Sequence, residues 1–308
     1  MEGVTILRNS LRALATVLAA VIAGTGTATA APVLPALPAQ SSLPSHPAIN
    51  PVFNDPSCIP SPAHPNPVVY FHGTGTDSND FVDGAHFLRS QGFCLWTHHY
   101  GTGSDTLRNL VPGHRGLGPI DQSVEELADV VDGVLATTGA QKVDVVGYSQ
   151  GGMLTKAYTQ GRGAGKVGRA VSIAATFRGT TIDGVVPVIG SAVNANRASS
   201  EHLVGASTLD QFADSDFIGR ISALPDTTAG IIYTALYTPS DTVATPYQTS
   251  MLEAVDGADV ANINIEAVCG RGFAHQGLPR TTEVIHLVHW GLTRAPGQTT
   301  ATPENCRA

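Results

Sequence analysis

From Val68 onward, short apolar, β-branched runs alternate with stretches whose apolar positions recur at helical spacing. Val68-Val69-Tyr70-Phe71 and Cys94-Leu95-Trp96-Thr97 read as the first two strands. Asp121 to Thr138 predicts a helix: Val124, Leu127, Val131 and Leu135 share a face, Ser123 and Glu126 offer a capping box, and Gly139 ends it. Val143 to Val146 follows as a strand, then a sharp turn over Gly147–Gly151 and a helix to about Gln160. Further strands are expected at Ala170–Ala174, Gly230–Tyr237 and Ala261–Val268, with a last helix from about Thr281 to Arg294. Strands separated by helices predict an α/β fold with a mostly parallel central sheet flanked by helices.

Residues 178–229 break the pattern. They are rich in Gly, Ser, Asn and Asp around one apolar knot, Val185-Val186-Pro187-Val188-Ile189. They read as an insertion over the sheet, either a lid or an ordinary surface excursion. Phe177, just before it, and Phe212 and Phe217, within it, are either lining of a ligand site or core.

The first 30 residues have another pattern. Arg8 and Arg12 precede an apolar stretch from Leu14 to Ile22 that is too short to span a bilayer, and Ala28-Thr29-Ala30 fits an A-x-A cleavage site. A signal peptide over 1–30 and secretion of the remainder are expected. Residues 31–66 form a Pro/Ser/Ala-rich extension, 67–296 the α/β domain, and 297–308 a C-terminal tail.

Charge narrows the partners. Removing residues 1–30 takes the net charge from −8 to −9, which argues against nucleic acid, whose phosphates need clustered Lys and Arg. Export makes disulfides available to Cys58, Cys94, Cys269 and Cys306. Of three pairings, Cys58–Cys94 with Cys269–Cys306 is favoured because each pair brackets one local unit. No close pair of the C-x-x-C kind is present, and no metal or cofactor is expected.

Gly147-Tyr148-Ser149-Gln150-Gly151 is a G-x-S-x-G sequence, and the strand before it and helix after it are the context its chemistry requires. Ser149 on such a strained turn is the candidate nucleophile. Glycines at both flanks leave room where a side chain would clash, and the helix N-terminus favours developing negative charge. One oxyanion N–H then comes from Gln150 and the other from the His72-Gly73-Thr74-Gly75 loop, with Thr74 the natural donor. His72 reads as a brace for that loop rather than a base.

An acid and a base must follow in chain order. Asp241, in Tyr237-Thr238-Pro239-Ser240-Asp241, falls just past a strand that Pro239 stops. Asp210, Asp214, Asp216 and Asp226 are weaker, because they lie in the irregular segment. His275 sits in a Gly-rich loop where a general base can lie between Ser149 and Asp241. His286 and His289 fall inside the last helix and read as packing or surface residues.

Phe71-His72-Gly73-Thr74-Gly75, the Gly147–Gly151 turn, Tyr237–Asp241 and His275-Gln276-Gly277-Leu278-Pro279, in that order, resemble the secreted bacterial class 2 lipases. The resemblance spans about Cys58 to Cys306. It implies the α/β-hydrolase fold and a Ser149–Asp241–His275 triad with Thr74 and Gln150 as oxyanion donors; a lipid or other ester substrate, a monomer and transient contact with a lipid interface are also expected. Gly-Tyr-Ser-Gln-Gly is also the turn of cutinases, which lack the His-Gly loop and rank second. An extracellular acyltransferase and a catalytically dead binding module are further readings, although no triad member is missing. No calcium-ligand cluster stands out, and Asp77, Asp80 and Asp83 read as helix-start residues.

Overall fold

The structure, a computed structural model, describes residues 48–103, 105–255 and 257–307. The signal-peptide stretch and the 31–66 extension as far as residue 47 lie outside the described residues. In chain order the main elements are β1 (Val68–Phe71), α1 (Val82–Ser90), β2 (Leu95–Thr97), α2 (Ile120–Thr138), β3 (Val143–Tyr148), α3 (Gln150–Thr159) and β4 (Val167–Ile173). Then come α4 (Val186–Ala195), α5 (Arg197–Val204), α6 (Ala206–Asp210) and α7 (Asp216–Ser222). The chain ends with β5 (Ile232–Tyr237), β6 (Asp259–Asn264), α8 (Ile265–Cys269) and α9 (Thr282–Thr293).

The six strands form one sheet in the order β2-β1-β3-β4-β5-β6, and every neighbouring pair is parallel. Strands covered on both faces need no polar alternation, which is why β1 and β3 read as continuous buried runs. The pleat divides them. Val68, Tyr70, Val146 and Tyr148 pack on one face with α1 and α9, while Val69, Phe71, Val143 and Val145 pack on the other with α2 and α3. The chain leaves β1 for β2 on one side and returns to β3 on the other. That reversal opens a crevice at the carboxyl ends of β1 and β3, the place where open α/β sheets bind ligands.

Several local expectations change. The helix at 120–138 starts at Ile120 behind Pro119, so Ser123 lies inside its first turn and does not cap it. Ser123 Oγ instead donates to Pro119 O, and Glu126 accepts from Gly101 N–H at 2.9 Å. The cap comes from far along the chain: Ile120 N–H donates to Asp210 Oδ2 at 3.1 Å. The run 261–268 is not one strand, because Asn264 accepts from Ala267 N–H and starts α8. Residues 178–229 hold four short helices, and Val185–Ile189 is the entry to α4. None is longer than 10 residues, too short for helical periodicity to emerge. Phe177 and Phe217 belong to the core beside α2 and α3, and Phe212 to a small cluster beneath α4.

The segment is fastened to the sheet. Lys156 on α3, 2% exposed, pairs with Asp226 at 2.7 Å, and Asp226 also meets Arg178. Cys58 is joined to Cys94 and Cys269 to Cys306. Among the described residues, no helix is long and apolar enough to cross a membrane.

Asp144 on β3 gives the fold a pH signature. It is buried, and Asn66 Nδ2 and Arg169 N each donate to its Oδ1 at 2.9 Å. Burial outweighs these bonds and raises its pKa from 3.8 to about 6. A carboxyl with a raised folded-state pKa contributes stability below its unfolded value and loses it as pH rises through the folded one. Asp144→Asn, which never pays for a buried charge, is therefore expected to be more stable than the parent at pH 8, by about 3 kcal/mol. The advantage should vanish near pH 4. Melting curves across that range check this, and a difference that did not change with pH would refute it.

Candidate active site

The turn after β3 is tight by construction. Ser149 adopts φ +53° and ψ −119°, a conformation L-residues rarely hold and that costs about 1–3 kcal/mol. Its N–H donates to Ile173 O at 2.8 Å, which ties the turn to β4. A Cβ on Gly147 would lie 2.5 Å from Gly151 O, and one on Gly152 would lie 2.5 Å from Ala175 Cβ. Glycine is thus required where this backbone folds against itself. α3 begins at Gln150, whose N–H is among the first-turn amides with no partner inside the helix.

Asp241 follows β5 and His275 follows α8. His275 Nε2 is 3.0 Å from Ser149 Oγ, and His275 Nδ1 is 2.7 Å from Asp241 Oδ2. All three are buried: Ser149 6% exposed, Asp241 6%, His275 4%. The other carboxylate oxygen, Oδ1, accepts from Val243 N–H at 2.7 Å and Ala244 N–H at 2.8 Å, so the carboxylate cannot rotate away. Ser240 N–H donates to Glu266 Oε1 at 2.7 Å, which holds the Asp241 loop against α8.

The His275 loop has a brace that sequence reasoning did not supply. Tyr148 Oη donates to His275 O at 2.9 Å, and their rings lie 5.3 Å apart. Burial raises the Tyr148 pKa well above its usual value, so the phenol stays a donor. Tyr148 occupies the variable position of G-x-S-x-G, where the pattern gives no signal for it. Its ring also explains Gly73, since a Cβ there would lie 3.0 Å from Tyr148 Cδ1.

His72 is fully buried, with Nδ1 2.9 Å from Gly73 O and its ring stacked on Tyr100 at 4.1 Å. Burial lowers its pKa to about 3, opposed only in part by the bond to Gly73. A neutral ring facing its own loop is a brace. Thr74 is joined by its side chain to Gln150: Thr74 Oγ1 donates to Gln150 Oε1 at 2.6 Å. Of the downstream histidines, His286 and His289 pack on Phe87, away from the triad. Asp77 caps a 3-10 turn, accepting from Asn79 N–H, and Asp80 pairs with Arg280 at 3.0 Å. Asp210 and Asp226 take up the structural ion pairs with Arg197 and Lys156. No group of three or more His, Cys, Asp or Glu converges as a metal site among the described residues.

A serine hydroxyl, an imidazole and a fixed carboxylate lie in one hydrogen-bonded line, and a helix N-terminus stands beside the hydroxyl. Such a set can accept an acyl group from an activated carbonyl. A family model described as Lipase (class 2) matches residues 65–267. Among solved structures, the propeptide form of the Bacillus licheniformis lipase BlEst2 is similar at 15% identity and TM-score 0.57. That match covers 82% of this chain and 56% of that one. A Paleococcus ferrophilus monoacylglycerol lipase matches at 15% identity and TM-score 0.49, covering 75% of this chain and 96% of that one. An Exiguobacterium antarcticum esterase matches at 15% identity and TM-score 0.48, covering 73% and 91%. At such identity the BlEst2 likeness carries the α/β-hydrolase fold and nothing of substrate.

Proposed function

The chain belongs to the class 2 lipase family, carboxylic ester hydrolases, and from that premise we propose that it is a secreted lipase or esterase working through Ser149, His275 and Asp241. Residues 67–296 are its catalytic domain, 178–229 an insertion in it, and 1–30 a cleaved leader. The two disulfides support export, since such bonds persist in oxidising compartments.

One observation carries the catalytic reading: the continuous line from Ser149 Oγ through His275 to Asp241, at 3.0 and 2.7 Å. Ser149 Oγ attacks the ester carbonyl while its proton passes to His275 Nε2. The carbonyl oxygen takes the negative charge and is met by the N–H groups of Thr74 and Gln150. Asp241 accepts from Nδ1–H, holds the ring in the useful tautomer and stabilises the imidazolium. His275 then gives its proton to the leaving alcohol, and the ester bond breaks. Water, deprotonated by the same nitrogen, releases the acid and restores Ser149.

A fluorophosphonate is expected to add one phosphonyl group to the folded protein, found on the peptide containing Ser149, and to abolish tributyrin hydrolysis in proportion. Hydrolysis that survived full labelling would sink the reading.

A further inference from the structure

Gln211 lies outside every motif, at the C-terminal cap of α6, yet its side chain is buried beside the candidate oxyanion loop. Its Nε2 donates to Thr74 Oγ1 at 2.6 Å and to Ser207 O at 3.0 Å, and its Oε1 accepts from Thr176 Oγ1 at 3.0 Å. Ser207 O can only accept, so the amide has one possible orientation. Thr74 Oγ1 must therefore receive a hydrogen from Gln211. Its own proton then goes to Gln150 Oε1, 2.6 Å away. Hydrogen bonds thus run in one direction from Thr176 through Gln211 and Thr74 to Gln150.

Thr74 and Gln150 are the residues whose N–H groups would meet the oxyanion. They come from different strand ends, and their separation must hold to a fraction of an ångström. We propose that Gln211 is a positioning residue of the oxyanion hole, supplied by the insertion, which sets the spacing of these two donors. The anchors of Gln211 suit the role. Its carbonyl accepts from Thr180 N–H at 2.8 Å, its neighbour Asp210 accepts from Ile120 N–H, and Ser207 Oγ donates to Gly116 O at 2.6 Å. This stretch of the insertion is thus a fixed wall of the site. The inference rests on the triad reading above.

The test compares the full-length parent with Gln211→Leu, Gln211→Glu, Thr176→Val and Ser149→Ala on a p-nitrophenyl ester, with rates expressed per folded molecule from circular dichroism. Gln211→Leu is expected to lower kcat about 10- to 100-fold with KM within about twofold. Inhibition by a trifluoromethyl ketone, whose adduct places an oxyanion in the hole, should weaken by the same factor. In Gln211→Glu the ionised carboxylate has no hydrogen for Thr74, whereas the protonated acid has one. The ratio of Gln211→Glu to parent kcat should therefore climb as pH falls, a signature that mere loss of packing does not produce. Unchanged kcat in both Gln211 variants, or a ratio flat with pH, overturns the proposal. If Gln211→Leu does not fold, Thr176→Val decides: a several-fold fall in kcat supports it and parental kcat overturns it. An inactive Ser149→Ala beside parental Gln211 variants overturns this inference alone, while an active Ser149→Ala overturns the triad and the inference together.

Discussion

Ser149→Ala is expected to reduce kcat on a soluble ester by about 10⁶-fold, and Ser149→Ala combined with His275→Ala by no more than that. In the proposed reaction the two groups perform one act. Without Oγ there is no proton for His275 to take, and without Nε2 at 3.0 Å the hydroxyl is not activated. Asp241→Asn is expected to cost less, about 10⁴-fold, because it leaves a nucleophile and a base but favours the wrong imidazole tautomer. The residue of rate over water should persist in all variants, from the Thr74 and Gln150 amides. Single-turnover kinetics on each variant check this. Losses that multiplied in the double variant would mean that Ser149 and His275 act on separate steps.

Gly151→Ala is expected to abolish folding outright. A Cβ there would stand 2.1 Å from Phe71 O, 2.6 Å from Phe71 C and 2.8 Å from His72 O. Those atoms are main chain at the end of β1, which is hydrogen-bonded to β2 on one side and β3 on the other. Neither side can give way, so the methyl pushes α3 off the sheet and spoils the loop carrying Thr74. A loss above about 4 kcal/mol, enough to unfold an ordinary domain, is expected. Gly133→Ala is the matched control. It lies exposed in mid-α2 with nothing within 4 Å of its Cβ, and should gain about 1 kcal/mol. A soluble, cooperatively melting Gly151→Ala protein would show that the close approach of β1 and α3 is not required.

These residues also show where sequence is informative. Val143–Gly151 declares strand, turn and helix, because a parallel strand buried on both faces is predominantly apolar, here with Asp144 as its one charged residue, and the turn admits only glycine at its flanks. Asp241 and His275 are marked by chain order and by position after a strand or in a glycine-rich loop, and they come within hydrogen-bonding distance of each other and of Ser149. What sequence cannot show is contact between distant side chains. Asp210 capping Ile120 displaces the Ser123–Glu126 box, although the box is the better local pattern. Gln211 carries no periodicity and no motif, and only the fold brings it 137 residues back to Thr74. Within 178–229, α4 to α6 are held by burial of Val186, Val193, Val204, Leu209 and Phe212 against one another, and α7 by Phe217, Ile218 and Ile221 in the core beside α2 and α3, which a window of single-helix length does not register.

The sheet has two outer strands, β2 and β6, and Asn54 lies along β2, its N–H donating to Leu95 O at 2.9 Å. Cys94 directly precedes β2, and Cys269 ends the helix that directly follows β6. Each disulfide therefore staples one outer strand, the first to residue 58 and the second to residue 306. An unprotected outer strand presents a row of free N–H and C=O groups to any other chain. In a reducing compartment the cost is thus expected to fall less on the proposed triad, which sits at the middle of the sheet, than on solubility, because outer strands freed of their staples can pair margin to margin. The route of production, more than the chemistry of the site, decides whether an active sample is obtained.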